Sequence, residues 1–178
     1  MNTYISILRG INVSGQKIIK MQELKYLYEE LNFVNVQTYI QSGNVVFQCK
    51  ETRVNEIENN IYTKILNKLE IEVPVIVLTT DDLYEIIHNC PFVTDTSKLN
   101  VTIFSSIPDL SDNVIPGNKK NKNEKYTLVN KAFYLYCPDG YGKTKLNNTF
   151  LEKTFKVKAT TRNWKTLNTL YLMSKEIT

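Results

Sequence analysis

Apolar positions in the first 80 residues follow two periods, one typical of strands and one typical of helices. Residues 4–8 form a short apolar run that indicates a strand. Between Met21 and Leu31, and again over Val54–Leu69, apolar side chains recur every three or four residues, which predicts two helices with one buried face each. Three further strands are predicted at residues 36–41, 44–48 and 73–78. The resulting order β-α-β-β-α-β is the split unit of a ferredoxin-like sandwich.

A predicted hairpin stands at the centre of this unit. Tyr39 and Ile40 close its first strand, and residues 45–47 open the second. The segment Ser42-Gly43-Asn44 is predicted to form the tight turn, because glycine and asparagine tolerate the positive φ that short hairpin turns require. Aromatic and β-branched flanks suit pleated strands. We expect the rest of the unit to be arranged around this hairpin.

The second half of the chain partly repeats this order. A short acidic helix is predicted at residues 81–88 and a strand at residues 100–105. Residues 108–123 replace the next helix with a polar loop, because they contain Pro116-Gly117 and several lysines. The remaining predicted elements are strands at Lys125–Val129, 132–137 and 157–159, a helix at 146–155 and a terminal helix from Asn163. We therefore predict an α+β protein of two tandem ferredoxin-like units, residues 1–80 and 81–178, the second irregular and ending in a C-terminal helix.

Composition places the chain among soluble proteins. It has 178 residues, 42% of them hydrophobic, and a formal charge of +4, a mild excess that by itself selects no partner. Cys49, Cys90 and Cys137 stand far apart without a CxxC pair, so we expect no disulfide framework and no metal site. The longest apolar run, residues 73–78, is too short to span a membrane, and a strand pattern follows Met1 directly. The expected location is cytoplasmic, with no membrane partner.

Four segments carry a family resemblance. They are LRGINV at 8–13, YIQSGNVVF at 39–47, YCPDGYGKTKL at 136–146 and TRNWKT at 161–166. In these segments the chain resembles a bacterial family, the domain-of-unknown-function family sixteen-ninety-seven. The resemblance implies a ferredoxin-like fold, and it supplies neither an agreed activity nor a catalytic residue. Ser14 stands where members commonly carry a glycine, and the residues after Pro108 are richer in lysine and asparagine than the family's helical stretch.

Catalytic signals are few. His88 is the only histidine, it lies outside the four segments, and its place near a predicted helix end suits a favourable dipole contact. Gly140 and Gly142 precede a helix without the spacing of a phosphate-binding loop. Asp81 and Asp82 suit the first turn of a helix. We lean against an enzyme and expect no cofactor.

Polar residues of the family segments are the candidate ligand site. They comprise Arg9, Asn12, Ser42, Asn44, Arg162, Asn163 and Lys165. Arginine and a helix N-terminus both hold carboxylate or phosphate, so these residues would form a cradle for an anion where the two units meet. The structural alternative assigns Ser42 and Asn44 to turn chemistry, Thr161 or Asn163 to a helix cap, and Arg9 to a bridge between the halves.

The distribution of charge is the basis for a second candidate function, binding to nucleic acid. Seven basic residues and one acidic residue lie between Lys143 and Lys165, with more lysines at 119–125. A nucleic-acid surface is therefore an alternative, although the apolar strand at residues 73–78 predicts that the open sheet face is covered. Three functions remain: a binding module for a small anionic or nucleotide-like ligand, which we favour, a nucleic-acid-associated protein, and an enzyme without a histidine-based site. The sequence does not predict an oligomeric state.

Overall fold

The computed structural model describes residues 1–92, 95–109 and 115–177. Contacts within the chain separate it into two compact units, Met1–Glu85 together with Thr169–Thr178, and Ile86–Asn168. The division predicted from sequence lies between residues 80 and 81, whereas the compact units place residues 81–85 and 169–178 with the first unit.

The first unit contains one four-stranded antiparallel sheet. Its strands are β1 Asn2–Leu8, β2 Val34–Tyr39, β3 Asn44–Cys49 and β4 Val75–Thr79, in the spatial order β2-β3-β1-β4. The helices are α1 Met21–Glu29, α2 Val54–Leu69 and α3 Thr80–His88, which begins in this unit. The two central strands, β3 and β1, come from different β-α-β halves, which is the ferredoxin-like arrangement that the hydrophobic pattern predicts.

The core of the first unit lies between its helices and one sheet face. Ile57, Ile61 and Ile65 repeat at the helical period and are buried together with Tyr28 of α1 and Phe47 of β3. The ring centroids of Tyr28 and Phe47 are 5.3 Å apart, in an edge-to-face arrangement. The Tyr28 hydroxyl is hydrogen-bonded to Ser6 Oγ at 2.7 Å, so its buried polar atom has a partner. Burial nevertheless raises the pKa of Tyr28.

The second unit repeats the sheet of the first. Its strands are β5 Leu99–Phe104, β6 Lys125–Val129, β7 Ala132–Tyr136 and β8 Ala159–Asn163, antiparallel and ordered β6-β7-β5-β8. Helix α4, Asn148–Phe155, packs Leu151 and Phe155 into a core with Phe133. The last helix is α5, Trp164–Glu176. The predicted α+β fold, with two four-stranded sheets and a C-terminal helix, is confirmed.

The connection from β5 to β6 is where the second unit departs from the first. Its described residues contain a single 3-10 turn, Gly117–Lys119. The loop predicted for residues 108–123 falls partly on residues 110–114, which lie outside the described residues.

Two local predictions are wrong. The β2–β3 connection is a four-residue loop at residues 40–43 and not a tight turn at 42–44. Asn44 pairs with Tyr39 as the first residue of β3, as the strand predicted at 44–48 has it. Ile40 and Gly43 take the positive φ, at 49° and 75°. The strand predicted at 157–159 is β8, which instead runs from Ala159 to Asn163 and pairs with β5 along its whole length. Arg162 therefore lies in a strand, and the last helix begins after it.

Gly43 is required for two reasons. Besides its positive φ, a Cβ at this position would lie 2.8 Å from Leu8 Cβ and 2.7 Å from Ile11 Cδ1. Glycine alone combines this backbone conformation with so close an approach.

We predict that Gly43→Ala destabilises the protein by about 1–3 kcal/mol, through backbone strain and overpacking. Urea unfolding followed by circular dichroism measures the change. Gly142→Ala is the matched control, since its Cβ would meet no heavy atom within 4 Å among the described residues beyond its own local backbone and chain neighbours, and its φ is not positive. Equal stability of the two variants would contradict this account of Gly43.

Candidate functional site

The β1–α1 loop and the β2–β3 loop meet at one end of the first sheet, through the side chain of Asn12. Asn12 Oδ1 accepts a hydrogen bond from Ile19 N at 2.9 Å. Its Nδ2 donates to Ile19 O at 2.9 Å and to Gln41 O at 2.8 Å. The carboxamide thus closes its own loop and joins the first two family segments. Both hydrogens of its amide group are used in these contacts.

Asn44 performs a similar role inside the hairpin. It is fully buried, and its Nδ2 donates to Tyr39 O at 3.0 Å and to Ser42 Oγ at 2.9 Å. The backbone adds a hydrogen bond from Leu8 N to Gly43 O at 2.8 Å. The sheet end therefore brings Asn12, Ser42 and Asn44 together in hydrogen-bonded loops. For Ser42 and Asn44 this matches the turn chemistry of the structural alternative, which made no assignment for Asn12.

Arg9 joins this sheet end through its backbone, because Arg9 N donates to Pro74 O at 2.9 Å, just before β4. Its side chain is half-buried. The loop that follows is contorted, with positive φ at Gly10, Asn12, Ser14, Gly15 and Lys17. A non-glycine residue in this region costs energy unless its surroundings hold it there. The Asn12 carboxamide supplies that restraint.

In the second unit, Thr161 joins the other two family segments. Its hydroxyl accepts a hydrogen bond from Tyr141 Oη at 3.1 Å and donates to Asn148 Oδ1 at 2.7 Å. Thr102 Oγ1 lies 2.6 Å away on the neighbouring strand. Tyr141 and Thr161 therefore connect the third family segment to the fourth, much as Asn12 connects the first to the second.

Arg162 follows Thr161 in β8. Its Nη1 donates to Thr160 Oγ1 at 3.1 Å and to Thr161 O at 2.8 Å. Burial lowers the pKa of Arg162 to about 10, because a low-polarity environment disfavours the charged form, yet the guanidinium remains protonated at neutral pH.

Asn163 ends β8 and caps the last helix. Asn163 Oδ1 accepts a hydrogen bond from Thr166 N at 2.8 Å, so the N-cap role expected for this residue is present. Lys165 lies in the first turn of α5, with its side chain exposed.

The seven candidate residues fall into two groups. The first unit holds Arg9, Asn12, Ser42 and Asn44, and the second holds Arg162, Asn163 and Lys165. Each takes part in at least one interaction with the protein. Convergence of Arg9, Asn44 and Arg162 at one place stays a prediction.

A cleft of about 390 Å³ in the second unit was not predicted from the sequence. We call it the lysine cleft, and it is lined by Gly117, Lys120, Lys125 and Tyr126. Neither lysine forms an ion pair with a residue that the structure describes. The Tyr126 ring is held by stacking on Phe133, with centroids 5.2 Å apart. The run of lysines is visible in the sequence, where it is equally typical of a solvated surface.

Glu124 forms no ion pair with either lysine of the cleft among the described contacts. Although adjacent to Lys125, it is only 2% exposed. Its carboxylate accepts hydrogen bonds from Asn121 N at 2.9 Å and Asn121 Nδ2 at 3.0 Å. Asn121 Nδ2 also donates to Lys143 O at 3.2 Å, which ties this segment to the third family segment. The Glu124 carboxylate thus holds the loop between Asn121 and Glu124 in place.

The cysteines lack the environment of catalytic nucleophiles. Burial raises the pKa of the Cys49 and Cys90 thiols, and burial together with the Glu124 carboxylate raises the pKa of Cys137 to about 12. Reactive cysteines need a lowered pKa, since the thiolate is the nucleophile. Within the described residues, no group of three or more histidine, cysteine, aspartate or glutamate side chains is placed to hold a metal ion.

The family model described as "Protein of unknown function (DUF1697)" matches residues 1–134. The chain belongs to this family. It is also similar in structure to the conserved bacterial protein SP0830 from Streptococcus pneumoniae, with a TM-score of 0.72 and 20% sequence identity, over 97% of this chain and 98% of that chain. At this identity the likeness shows the fold alone. No curated protein matches the chain in sequence.

The helices of this family member include none, among the described residues, that has the length and apolarity to cross a membrane. Cytoplasmic location stays a prediction.

We predict that Asn12→Ala destabilises the protein by about 2–3 kcal/mol, because it removes three hydrogen bonds and leaves an alanine at a φ of 55°. Asn12→Gly isolates the hydrogen bonds, since glycine adopts that φ without strain, and should cost about 1–2 kcal/mol. Chemical denaturation of both variants gives the difference. Two variants as stable as the parent protein would disprove the structural role.

We predict that Arg162→Ala destabilises the protein by about 1–3 kcal/mol, because the Thr160 hydroxyl and Thr161 carbonyl lose a donor. Its thermal unfolding, compared with that of the parent, distinguishes the two interpretations of this residue. A side chain reserved for a ligand would leave the ligand-free protein as stable as the parent.

Proposed function

We propose that this protein is a binding module for a small anionic, nucleotide-like ligand, and that the lysine cleft of the second unit holds it. One observation carries the proposal: two ammonium groups, without an acidic partner among the described residues, line the same cleft as an aromatic ring. Lysine is a common phosphate ligand, acting as a point charge with three donors. The size of the cleft is within the range of small-molecule sites.

The lining suggests how such a ligand would lie. Phosphate or carboxylate oxygens would contact Lys120 and Lys125, and a flat ring would rest near Tyr126, whose position is fixed by Phe133. The Glu124 carboxylate would not contact the anion, because it is buried and its oxygens accept hydrogen bonds from Asn121.

The family segments contain residues with a structural role and residues that bear on the proposal. Their hydrogen bonds favour a structural role for Asn12, Ser42 and Asn44, which hold loops in place. Arg9, Arg162 and Lys165 keep cationic side chains that would add to an anion site if the two groups converge, as the sequence predicts.

Nucleic acid is the alternative ligand. The burial of side chains on both faces of β1 disfavours the commonest way in which this fold binds RNA. Strand β1 buries Tyr4 and Leu8 on one face and Ile5 and Ile7 on the other, each at 2% exposure or less. RNA-binding versions of the fold stack bases on aromatic side chains of an open sheet face. With both faces of its central strand covered, this sheet offers no such platform on β1.

We predict that a nucleoside diphosphate or pyrophosphate stabilises the protein thermally, by about 2.7 kcal/mol at a hundred times its dissociation constant. Lys120→Gln combined with Lys125→Gln should abolish the shift, because both cationic contacts are lost. Lys20→Gln combined with Lys50→Gln, in the first unit, is the control that changes net charge equally.

Two results would overturn this proposal. One is the absence of stabilisation by any phosphate compound, and the other is an undiminished shift in the Lys120/Lys125 double variant. Binding of an oligonucleotide alone, with an affinity that falls steeply with salt, would establish the nucleic-acid alternative.

A further inference from the structure

A second cleft, of about 420 Å³, lies in the first unit and differs in its chemistry from the lysine cleft. We call it the polar cleft. It is lined by residues from β1, from the end of β4, from the start of α3 and from the end of α5, among them Asn2, Thr3, Thr79, Thr80, Asp81 and Lys175. The lining side chains thus combine hydroxyl and amide groups with one carboxylate and one ammonium.

The two charged side chains of the polar cleft are both without described partners. Asp81 and Lys175 are exposed, and neither forms an ion pair or hydrogen bond with any residue that the structure describes, nor with each other. Opposite charges that line one space without bridging directly leave room for a ligand that carries both complementary charges.

One of the lining residues, Thr80, also has a buried hydroxyl group without a described partner. Thr80 Oγ1 is buried and has no hydrogen-bond partner among the described residues. Buried polar atoms are nearly always hydrogen-bonded, and one that is not calls for an explanation. Thr80 is one of the lining residues and stands next to Asp81, so a rotation of its side chain would bring this hydroxyl to a polar group bound in the cleft.

The next carboxylate along α3, that of Asp82, differs from Asp81 because it is hydrogen-bonded within the protein. Asp82 Oδ2 accepts hydrogen bonds from Thr79 N at 2.9 Å and Thr79 Oγ1 at 2.8 Å, and Thr79 Oγ1 accepts from Asp82 N at 3.0 Å. This reciprocal pair caps α3. Capping is therefore completed by Asp82, and Asp81 is left to line the cleft.

We propose that the polar cleft binds a small zwitterion of the amino-acid class, with its ammonium on Asp81 and its carboxylate on Lys175. A ligand with only negative charge would be repelled by Asp81, and one with only positive charge by Lys175. Both contacts are exposed to solvent, so each contributes modestly and the complex is weak and exchanges rapidly. The proposal concerns a different unit and different residues from the lysine cleft, so its test does not depend on whether the lysine cleft binds a ligand.

A nuclear magnetic resonance titration of the full chain tests this assignment. Three probes of similar size are compared: L-alanine, propionate, which lacks the ammonium, and ethylamine, which lacks the carboxylate. Backbone amide shifts are expected at Thr79, Thr80 and Asp81, with alanine binding about fivefold more tightly than either single-charge probe. Equal affinity of alanine and one of the other probes would overturn the zwitterion assignment, as would the absence of shifts at these amides.

Variants then test which side chain contacts each charged group of the ligand. Asp81→Asn should remove the preference for alanine over propionate, and Lys175→Gln the preference for alanine over ethylamine. Glu85→Gln and Lys20→Gln neutralise one charge of the same sign outside the cleft and should preserve both preferences. The same losses in the controls, or retained preferences in Asp81→Asn and Lys175→Gln, would overturn the proposal. The Lys120/Lys125 double variant should bind alanine normally.

Discussion

The first unit depends on the close approach of the β2–β3 loop to the start of the β1–α1 loop. This approach requires a residue without a side chain at position 43, where a Cβ would press on Leu8 and Ile11. It also lets Leu8 N reach Gly43 O and the Asn12 carboxamide reach Gln41 O. The shape of both loops and the burial of Asn44 follow from this single contact region.

Side chains that join distant loops explain the polar character of the family segments. Asn12 does so in the first unit, and the Tyr141–Thr161 pair does so in the second. In each case a short polar side chain satisfies loop backbone or hydroxyl groups that secondary structure leaves unpaired. Residues of this kind resemble a ligand site in sequence, because carboxamides and hydroxyls serve loops and ligands with the same geometry.

Adjacent residues of similar polarity differ in their partners, and this difference points to the candidate sites. Asp82 is occupied by helix capping while Asp81 lines the polar cleft, and Glu124 is turned into the protein while Lys125 lines the lysine cleft. Charges that are already hydrogen-bonded contribute to the stability of the loops. The others supply the electrostatic field that a small ligand would meet.

Elements with local signals could be predicted from the amino-acid sequence alone. The apolar spacing of α2 predicted Val54–Leu69, and the alternation of strands with helices predicted both α+β units. The four-residue loop before Asn44, the position of β8 and the role of Asn12 became visible only in the folded chain. The reason is physical: a helical period is set by residues three or four positions apart, whereas Asn12 and Gln41 are separated by 29 positions and meet only through the sheet. Which charges lack a partner is decided in the same way, by contacts between residues that are distant in sequence.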